Sequence, residues 1–358
     1  MQFDVKPSTN PVPEAERTAL IAQPSFGSVF TDHMVMIRHT AEGGWQTPLL
    51  TARAPIPMDP ASSVLHYAQE IFEGMKAYRI ADGSTVLFRP EANAARFRQS
   101  AARMAMPDLP PELFVRGVEE LVRQDRAWIP TMPGGSLYLR PFMIATEAFL
   151  GVRPAREHLF MVIASPVGAY FSGKTEAVTL WVSQTYTRAA RGGTGAAKCG
   201  GNYAAGLLAQ AEATRNECQQ VVFLDAAEGR WIEELGGMNV FFVRRDGSLI
   251  TPPLGTILPG ITRDSIMTLA RDMGMSVTEQ PYAFEQWRAD AEGGEVVEAF
   301  ACGTAATVAP IGRVKFEGGS FEMQSGATAG LVTETLRRAL FDIQFGRVAD
   351  QRGWVHRV

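Results

Sequence analysis

Cysteine is scarce: Cys199, Cys218 and Cys302 are the only three in 358 residues, and none forms a Cys-x-x-Cys pair. An odd, scattered set suits neither a disulfide framework nor a thiolate metal site, and it points to a reducing compartment. The five histidines, His33, His39, His66, His158 and His356, include no His-Glu-x-x-His run and no close cysteine partner, so no metal is expected. Positive charge is not in excess. Lysine and arginine number 34 against 38 acidic residues, a net charge of -4, which leaves no basic footprint for nucleic acid or an anionic membrane. No run approaches the ~20 apolar residues of a membrane span, and the first ten residues carry neither a signal-like apolar stretch nor an Arg-rich targeting pattern. A Gly-x-Ser-x-Gly elbow is also missing, which argues against that type of serine hydrolase. The expectation is a soluble cytoplasmic protein whose partners are small molecules.

What is present is a chain with 46% hydrophobic and 20% charged residues, long enough for two domains of roughly 150 to 200 residues each. Residues 1 to about 24, with Pro7, Pro11, Pro13 and Pro24, read as an extended arm. The pattern then predicts a strand over 28–39, a strand over 85–88, and helices over 90–106 and 111–128, each opening with a proline. Residues 136–145 alternate as a strand with Tyr138 and Arg140 on one face, and 158–165 read as a strand buried on both faces. A linker is expected over 166–174, which divides a small N-terminal α/β domain (1–165) from a larger C-terminal domain (175–358). Beyond it, strands are expected over 177–186, 219–225, 230–234, 239–244 and 296–301, and helices over 203–217, 262–273 and 328–346. That order is an α+β or pseudo-barrel pattern rather than a regular βαβ array.

The stretch Ala196-Ala197-Lys198-Cys199-Gly200-Gly201-Asn202-Tyr203 stands out. Small residues and a double glycine let the backbone turn sharply beside a flat ligand, with Asn202 placed to cap a helix from Tyr203. A lysine held in apolar surroundings is a nucleophile and a candidate for a Schiff base. One other match misleads: Gly168-Ala169-Tyr170-Phe171-Ser172-Gly173-Lys174-Thr175 fits the phosphate-loop pattern, and Val221 to Asp225 supplies an apolar run ending in aspartate. That motif requires a helix directly after its Ser/Thr, yet residues 177–183 alternate like a strand. Pyridoxal phosphate accounts for more. It needs a lysine, an acid beside its pyridine nitrogen and a phosphate cup. Lys198 supplies the first, the pair Glu233-Glu234 the second, and the helix opening at Leu258-Pro259-Gly260-Ile261-Thr262, with Arg96, the third.

Taken together, the blocks His66-Tyr67 to Phe72-Glu73-Gly74-Met75-Lys76, Leu87-Phe88-Arg89-Pro90, Ser136-Leu137-Tyr138-Leu139-Arg140-Pro141, Pro166-Val167-Gly168-Ala169-Tyr170-Phe171, Lys198-Cys199-Gly200-Gly201-Asn202-Tyr203, Leu258 to Arg263 and Gly303-Thr304-Ala305 are collinear over nearly the whole chain. In that order they resemble the branched-chain amino-acid aminotransferases of pyridoxal-phosphate fold type IV. The resemblance implies that Lys198 carries pyridoxal 5'-phosphate and shuttles the substrate proton. It implies that Tyr203 bonds the cofactor's phenolic oxygen, that Glu234 rather than Glu233 keeps its ring nitrogen protonated, and that Arg96, Ile261, Thr262 and Thr304 hold its phosphate. Amides of Thr304 and Ala305, with Tyr138 and Arg140, would receive substrate carboxylates. Tyr67, Phe72 and Tyr170 would wall an apolar pocket, with Lys76 nearby. Leucine, isoleucine and valine, with 2-oxoglutarate and glutamate, are the implied substrates. The family forms dimers in which one subunit's loop closes the other's pocket, so a homodimer is expected. Two departures stand out: Ala306 and Ala309 occupy the positions of a redox-active Cys-x-x-Cys found in some relatives, and Gly237 replaces a threonine. No thiol switch is therefore expected there.

Overall fold

The computed structural model describes residues 2–24, 26–168 and 176–358. The elements run β1 (Asp4–Lys6), α1 (Glu14–Ala22), β2 (His33–Thr40), β3 (Gly44–Trp45), β4 (Leu49–Ala52), α2 (Ser63–Tyr67), β5 (Glu70–Phe72), β6 (Met75–Arg79), β7 (Thr85–Phe88), α3 (Pro90–Arg103), α4 (Pro111–Asp125), β8 (Ser136–Ala145) and β9 (Glu157–Val167). They continue with β10 (Val178–Ser183), α5 (Gly200–Ala205), α6 (Leu207–Arg215), β11 (Gln220–Leu224), β12 (Ile232–Leu235), β13 (Asn239–Arg244), β14 (Leu249–Thr251), α7 (Ile261–Asp272), β15 (Val277–Glu279), α8 (Phe284–Gly293), β16 (Val296–Gly303), β17 (Thr307–Phe316), β18 (Gly319–Glu322), α9 (Leu331–Gln344) and β19 (Val355–Arg357). Among the described residues no helix is long and apolar enough to cross a membrane.

Two sheets organise the chain. One runs β1-β4-β2-β9-β8-β6-β7-β19, with β3 on β2 and β5 on β8; among the described residues only β1 and β4 of this sheet pair in parallel. Its core face alternates as the pleat requires: Val35 and Ile37 on β2, Leu137 and Leu139 on β8, and Phe160 and Val162 on β9 pack with Phe97 of α3 and Phe114 of α4. The other runs β12-β11-β10-β17-β16-β13-β14-β15, with β18 on β17, and it mixes parallel pairs of β10 with antiparallel ones. Its core joins Leu180, Phe242 and Ala301 to Trp287 of α8. The start of α9 is capped from a strand: Glu298 on β16 accepts from the N–H groups of Val332 (3.0 Å) and Thr333 (2.8 Å) and from the Thr333 hydroxyl (2.7 Å). A carboxylate there answers the partial positive charge of the helix N-terminus.

The compact units do not follow the expected division of the sequence. One contains Met1–Tyr170, Ala197–Gly200 and Asp342–Val358; the other contains Phe171–Ala196 and Gly201–Phe341. The lysine loop belongs with the first because the Lys198 carbonyl accepts from the Phe72 N–H at 3.0 Å, while Ala197 and Cys199 join that unit's core. The tail belongs there because β19 pairs antiparallel with β7. The lysine was expected in the C-terminal domain, and the structure places its backbone elsewhere.

Other local expectations are also revised. Residues 14–22 are a helix rather than extended arm, since Glu14-Ala15-Glu16 are good helix formers with acids in the first turn after Pro13. The helix expected from Tyr203 begins at Gly200 and breaks at Gly206, so Asn202 does not cap it. Asn202 is buried within α5, accepting from the Thr194 hydroxyl (2.7 Å) and donating to the Thr194 carbonyl (2.8 Å). Of the phosphate-loop match over 168–175, residues 169–175 lie outside the described residues, and the element after it is the strand β10. Most of the expected linker lies there too, while Pro166 and Val167 close β9.

Candidate active site

In the first unit, a polar group gathers on the face of β8 opposite the core. Tyr138 and Arg140 are two apart and share that face, and the Arg140 Nη2 donates to the Tyr138 hydroxyl at 2.9 Å. The Arg140 guanidinium lies 4.7 Å from the centre of the Phe72 ring, and the Lys198 Nζ lies 4.8 Å from the same centre. The Arg140 Nε is buried without a partner. Lys76, directly opposite Tyr138 on β6, is buried, and burial pulls its ammonium down to about 8. Gly74 is obligatory beside it, because a Cβ there would run into the Tyr138 hydroxyl. Phe26 packs edge-on against Tyr138 with ring centres 5.1 Å apart, a contact the sequence did not signal.

Arg96 is not a solvated helix residue. It is buried on α3, and its Nε and Nη2 grip both oxygens of Glu73 at 2.8 and 2.7 Å, while Asn93 donates to Glu73 at 2.8 Å. A bidentate fork of this kind fixes the guanidinium plane. Glu73 lay inside a motif already recognised, yet nothing in its spacing marked it as the partner of Arg96. Tyr67 is exposed, with its hydroxyl donating to the Leu150 carbonyl, and it does not share the contacts of the Phe72 group. Tyr170 lies outside the described residues.

In the second unit, the two acids of β12 part company because successive side chains face opposite ways. Glu233 accepts from the Thr256 hydroxyl, and burial raises it above the usual carboxylate range. Glu234 pairs with Arg188 at 2.6 Å, both almost fully buried, and accepts from the Leu258 N–H at 3.1 Å. Asn239 donates to the Leu258 carbonyl at 3.1 Å, and a Cβ on Gly260 would collide with its amide. That glycine caps α7 without any side-chain bond, and Ile261 and the buried Thr262 open the helix. Tyr203 is half-buried, 3.7 Å from where a Cβ on Gly237 would stand. Thr304 and Ala305 sit in the turn between β16 and β17, closed by the Gly303–Thr307 pair. Thr307 there has φ 63°, a left-handed conformation rare for a β-branched residue.

The profile of the family described as amino-transferase class IV matches residues 70–314. A protein named "Probable branched-chain-amino-acid aminotransferase" from Streptomyces coelicolor is 55% identical over 99% of this chain and 98% of its own length. A branched-chain-amino-acid aminotransferase from Mycobacterium tuberculosis is 51% identical over 100% of this chain and 98% of its own. The chain belongs to the branched-chain-amino-acid aminotransferases of class IV. Among solved structures, the Escherichia coli branched-chain amino acid aminotransferase is similar at TM-score 0.75 and 29% identity, covering 91% of this chain and 98% of that one. The T.th. branched-chain amino acid aminotransferase, solved with pyridoxamine 5'-phosphate, is similar at TM-score 0.74 and 28% identity, covering 91% and 99%. The mixed α/β architecture is therefore that of the fold type IV aminotransferases.

The residues of this aminotransferase suit such a cofactor. A buried acid balanced by arginine can face a ring nitrogen, a helix start without a side-chain cap can take a phosphate, and a partnerless buried Arg140 Nε can take a carboxylate. Arg188, Asn239, Glu73 and Phe26 each touch one of the expected residues and were missed, since each acts through a partner that no motif spacing marks. Among the described residues no group of three or more His, Cys, Asp or Glu could hold a metal, and all three cysteines are buried free thiols.

Proposed function

We propose that this chain transfers the amino group of L-leucine, L-isoleucine and L-valine to 2-oxoglutarate, giving branched-chain 2-oxo acids and L-glutamate, with pyridoxal 5'-phosphate as cofactor. The observation that carries the reading is the pair of cations on Phe72: the Lys198 amine 4.8 Å from the ring centre, and Arg140 4.7 Å from it with a partnerless Nε. When bound, the cofactor supplies an aldehyde that links to an amine and a protonated ring that takes up the electron pair released at the substrate Cα. Lys198 would hold the cofactor and, once displaced by the amino acid, its Nζ would take the Cα proton and return it two bonds away, across the substrate nitrogen, to the carbon that carried the aldehyde. Glu234 would hold the proton on the ring nitrogen, with Arg188 balancing the carboxylate. Tyr203 would bond the phenolic oxygen. Arg96, oriented by Glu73, would hold the phosphate with Ile261, Thr262 and Thr304.

The carboxylate of the amino acid is received by the amides of Thr304 and Ala305 with help from Tyr138 and Arg140. Arg140 also takes the second carboxylate of glutamate, with Lys76 nearby. Phe72 walls the aliphatic pocket, where a branched side chain gains about 1.5 to 3 kcal/mol by burial. One site serving both half-reactions predicts ping-pong kinetics. We place the enzyme in the cytoplasm as a homodimer.

The test is the visible spectrum of the purified protein before and after L-leucine, with no oxo acid present. A yellow band that shifts to the amine form of the cofactor, and is missing in Lys198→Ala, supports the reading. A response to D-alanine but not L-leucine would replace the substrate, and a colourless protein that cannot be reconstituted would overturn the whole assignment.

A further inference from the structure

We infer that Ser100 and Glu70 are positioning residues for Lys198, and that with the Phe72 N–H they form a three-point clamp on the main chain of the lysine loop. The inference rests on the reading of Lys198 as the cofactor lysine. The Lys198 N–H donates to the Ser100 hydroxyl at 2.9 Å, its carbonyl accepts from the Phe72 N–H at 3.0 Å, and the Gly200 N–H two residues on donates to the Glu70 carboxylate. Three anchors within three consecutive residues leave the loop little freedom, so the direction in which Nζ emerges is set by the scaffold. The anchors come from rigid elements. Ser100 is fully buried on α3, and Glu70 and Phe72 lie on β5, which pairs antiparallel with β8.

The residue types fit this role. Any Cβ at position 200 would overlap the Glu70 carboxylate, so the first glycine of the double glycine is the one that lets the acid reach the backbone. Glu70 and Phe72 are two apart on one strand and share a face, so the ring under the Lys198 amine and the carboxylate under Gly200 are presented together. Burial raises Glu70 above the usual carboxylate range, while the Gly200 N–H and the Arg140 charge pull the other way, so the anchor is also coupled to the proposed carboxylate receiver. An amine that must take a proton from one carbon and return it to another two bonds away depends on its origin being fixed to a fraction of an ångström.

The test compares Ser100→Ala, Glu70→Ala and Glu70→Gln with the wild-type holoenzyme. In Ser100→Ala and Glu70→Ala, kcat should fall at least about tenfold while KM for L-leucine stays within about twofold. The pH midpoint of the cofactor's visible band, read without substrate, should move in both. Glu70→Gln, which keeps an acceptor oxygen for Gly200, should retain most of kcat and the wild-type midpoint. Thermal unfolding of each variant shows whether it is folded. If kcat falls only in step with the folded fraction, or if both alanine variants keep the wild-type kcat and midpoint, the clamp is wrong. Should Ser100→Ala fail to fold, the contrast between Glu70→Ala and Glu70→Gln decides alone. Lys198→Ala separates the two ideas: retention of the visible band and turnover there would overturn the assignment of the lysine itself.

Discussion

At the scale of single residues, the chemistry turns on charges that are buried but balanced. Arg188 and Glu234 lie 2.6 Å apart with about 3% of each side chain exposed, so neither can lose its partner cheaply. Removing one leaves the other charge stranded, which costs about 3 to 5 kcal/mol, whereas replacing both with apolar groups is often neutral. Arg188→Met should therefore lower the free energy of unfolding by about that amount in urea titrations. The double variant Arg188→Met with Glu234→Leu should recover much of the stability and none of the activity. Glu234→Gln tests the other half of the role: an amide keeps the shape but cannot hold a proton on a ring nitrogen, so kcat of the folded protein should fall about 10² to 10³-fold, on top of a stability loss like that of Arg188→Met because Arg188 is stranded. A stability loss without a kcat loss in Glu234→Gln would mean the pair is structural.

At the scale of elements, the strand pair β2–β9 carries a titrating feature that chemistry does not use. His39 and His158 face each other across the ladder with ring centres 6.1 Å apart, and both His158 ring nitrogens are buried without partners. Burial, with His39 adding to it, pushes His158 from 6.5 down to about 4. The unfolded chain then binds the extra proton between those values. Stability is complete above pH 6.5 and is lost as pH falls toward 4, by up to about 3 kcal/mol. Urea titrations at about pH 7 and about pH 5 should show the drop, and His158→Leu should make it smaller; an unchanged slope would exclude His158 as its source. The cap of α9 behaves differently. Glu298→Ala removes three bonds to a carboxylate and should cost about 2 to 3 kcal/mol at either pH, measured the same way. Neither feature was legible in the sequence. What the sequence did reveal were features that repeat locally or sit in contiguous motifs: the strand Ser136–Ala145 by its alternation, α3 and α4 by their leading prolines, and Lys198 by its glycine-rich frame. Glu298, Ser100, Glu73 and Arg188 act on groups far along the chain, and no period or spacing encodes such a partner. Helix α1 was obscured by the prolines around it, although its own residues favour a helix.

At the scale of the whole molecule, the first unit exposes a group of large apolar side chains. Leu65, Leu150 and Val152 are 59%, 60% and 86% exposed, and Tyr67 and Phe149 flank them. They form one surface because the two segments are stitched together: Ser63 N–H donates to the Glu147 carbonyl, Phe149 N–H to the Ala61 carbonyl, and the Tyr67 hydroxyl to the Leu150 carbonyl. Patches of this kind on a folded chain mark interaction sites. Tyr67 belongs to this surface, with its hydroxyl held at Leu150 rather than among the contacts of Phe72. If a second chain covers this surface, a charge set into it should separate the subunits and open the neighbour's pocket together. Leu150→Asp with Val152→Asp should sediment as a monomer and lose most of its kcat/KM for L-leucine, while Val5→Asp, an exposed change on the edge strand β1, should leave both sedimentation and kcat/KM as in the wild type. A double variant that remains dimeric and active would place the interface elsewhere.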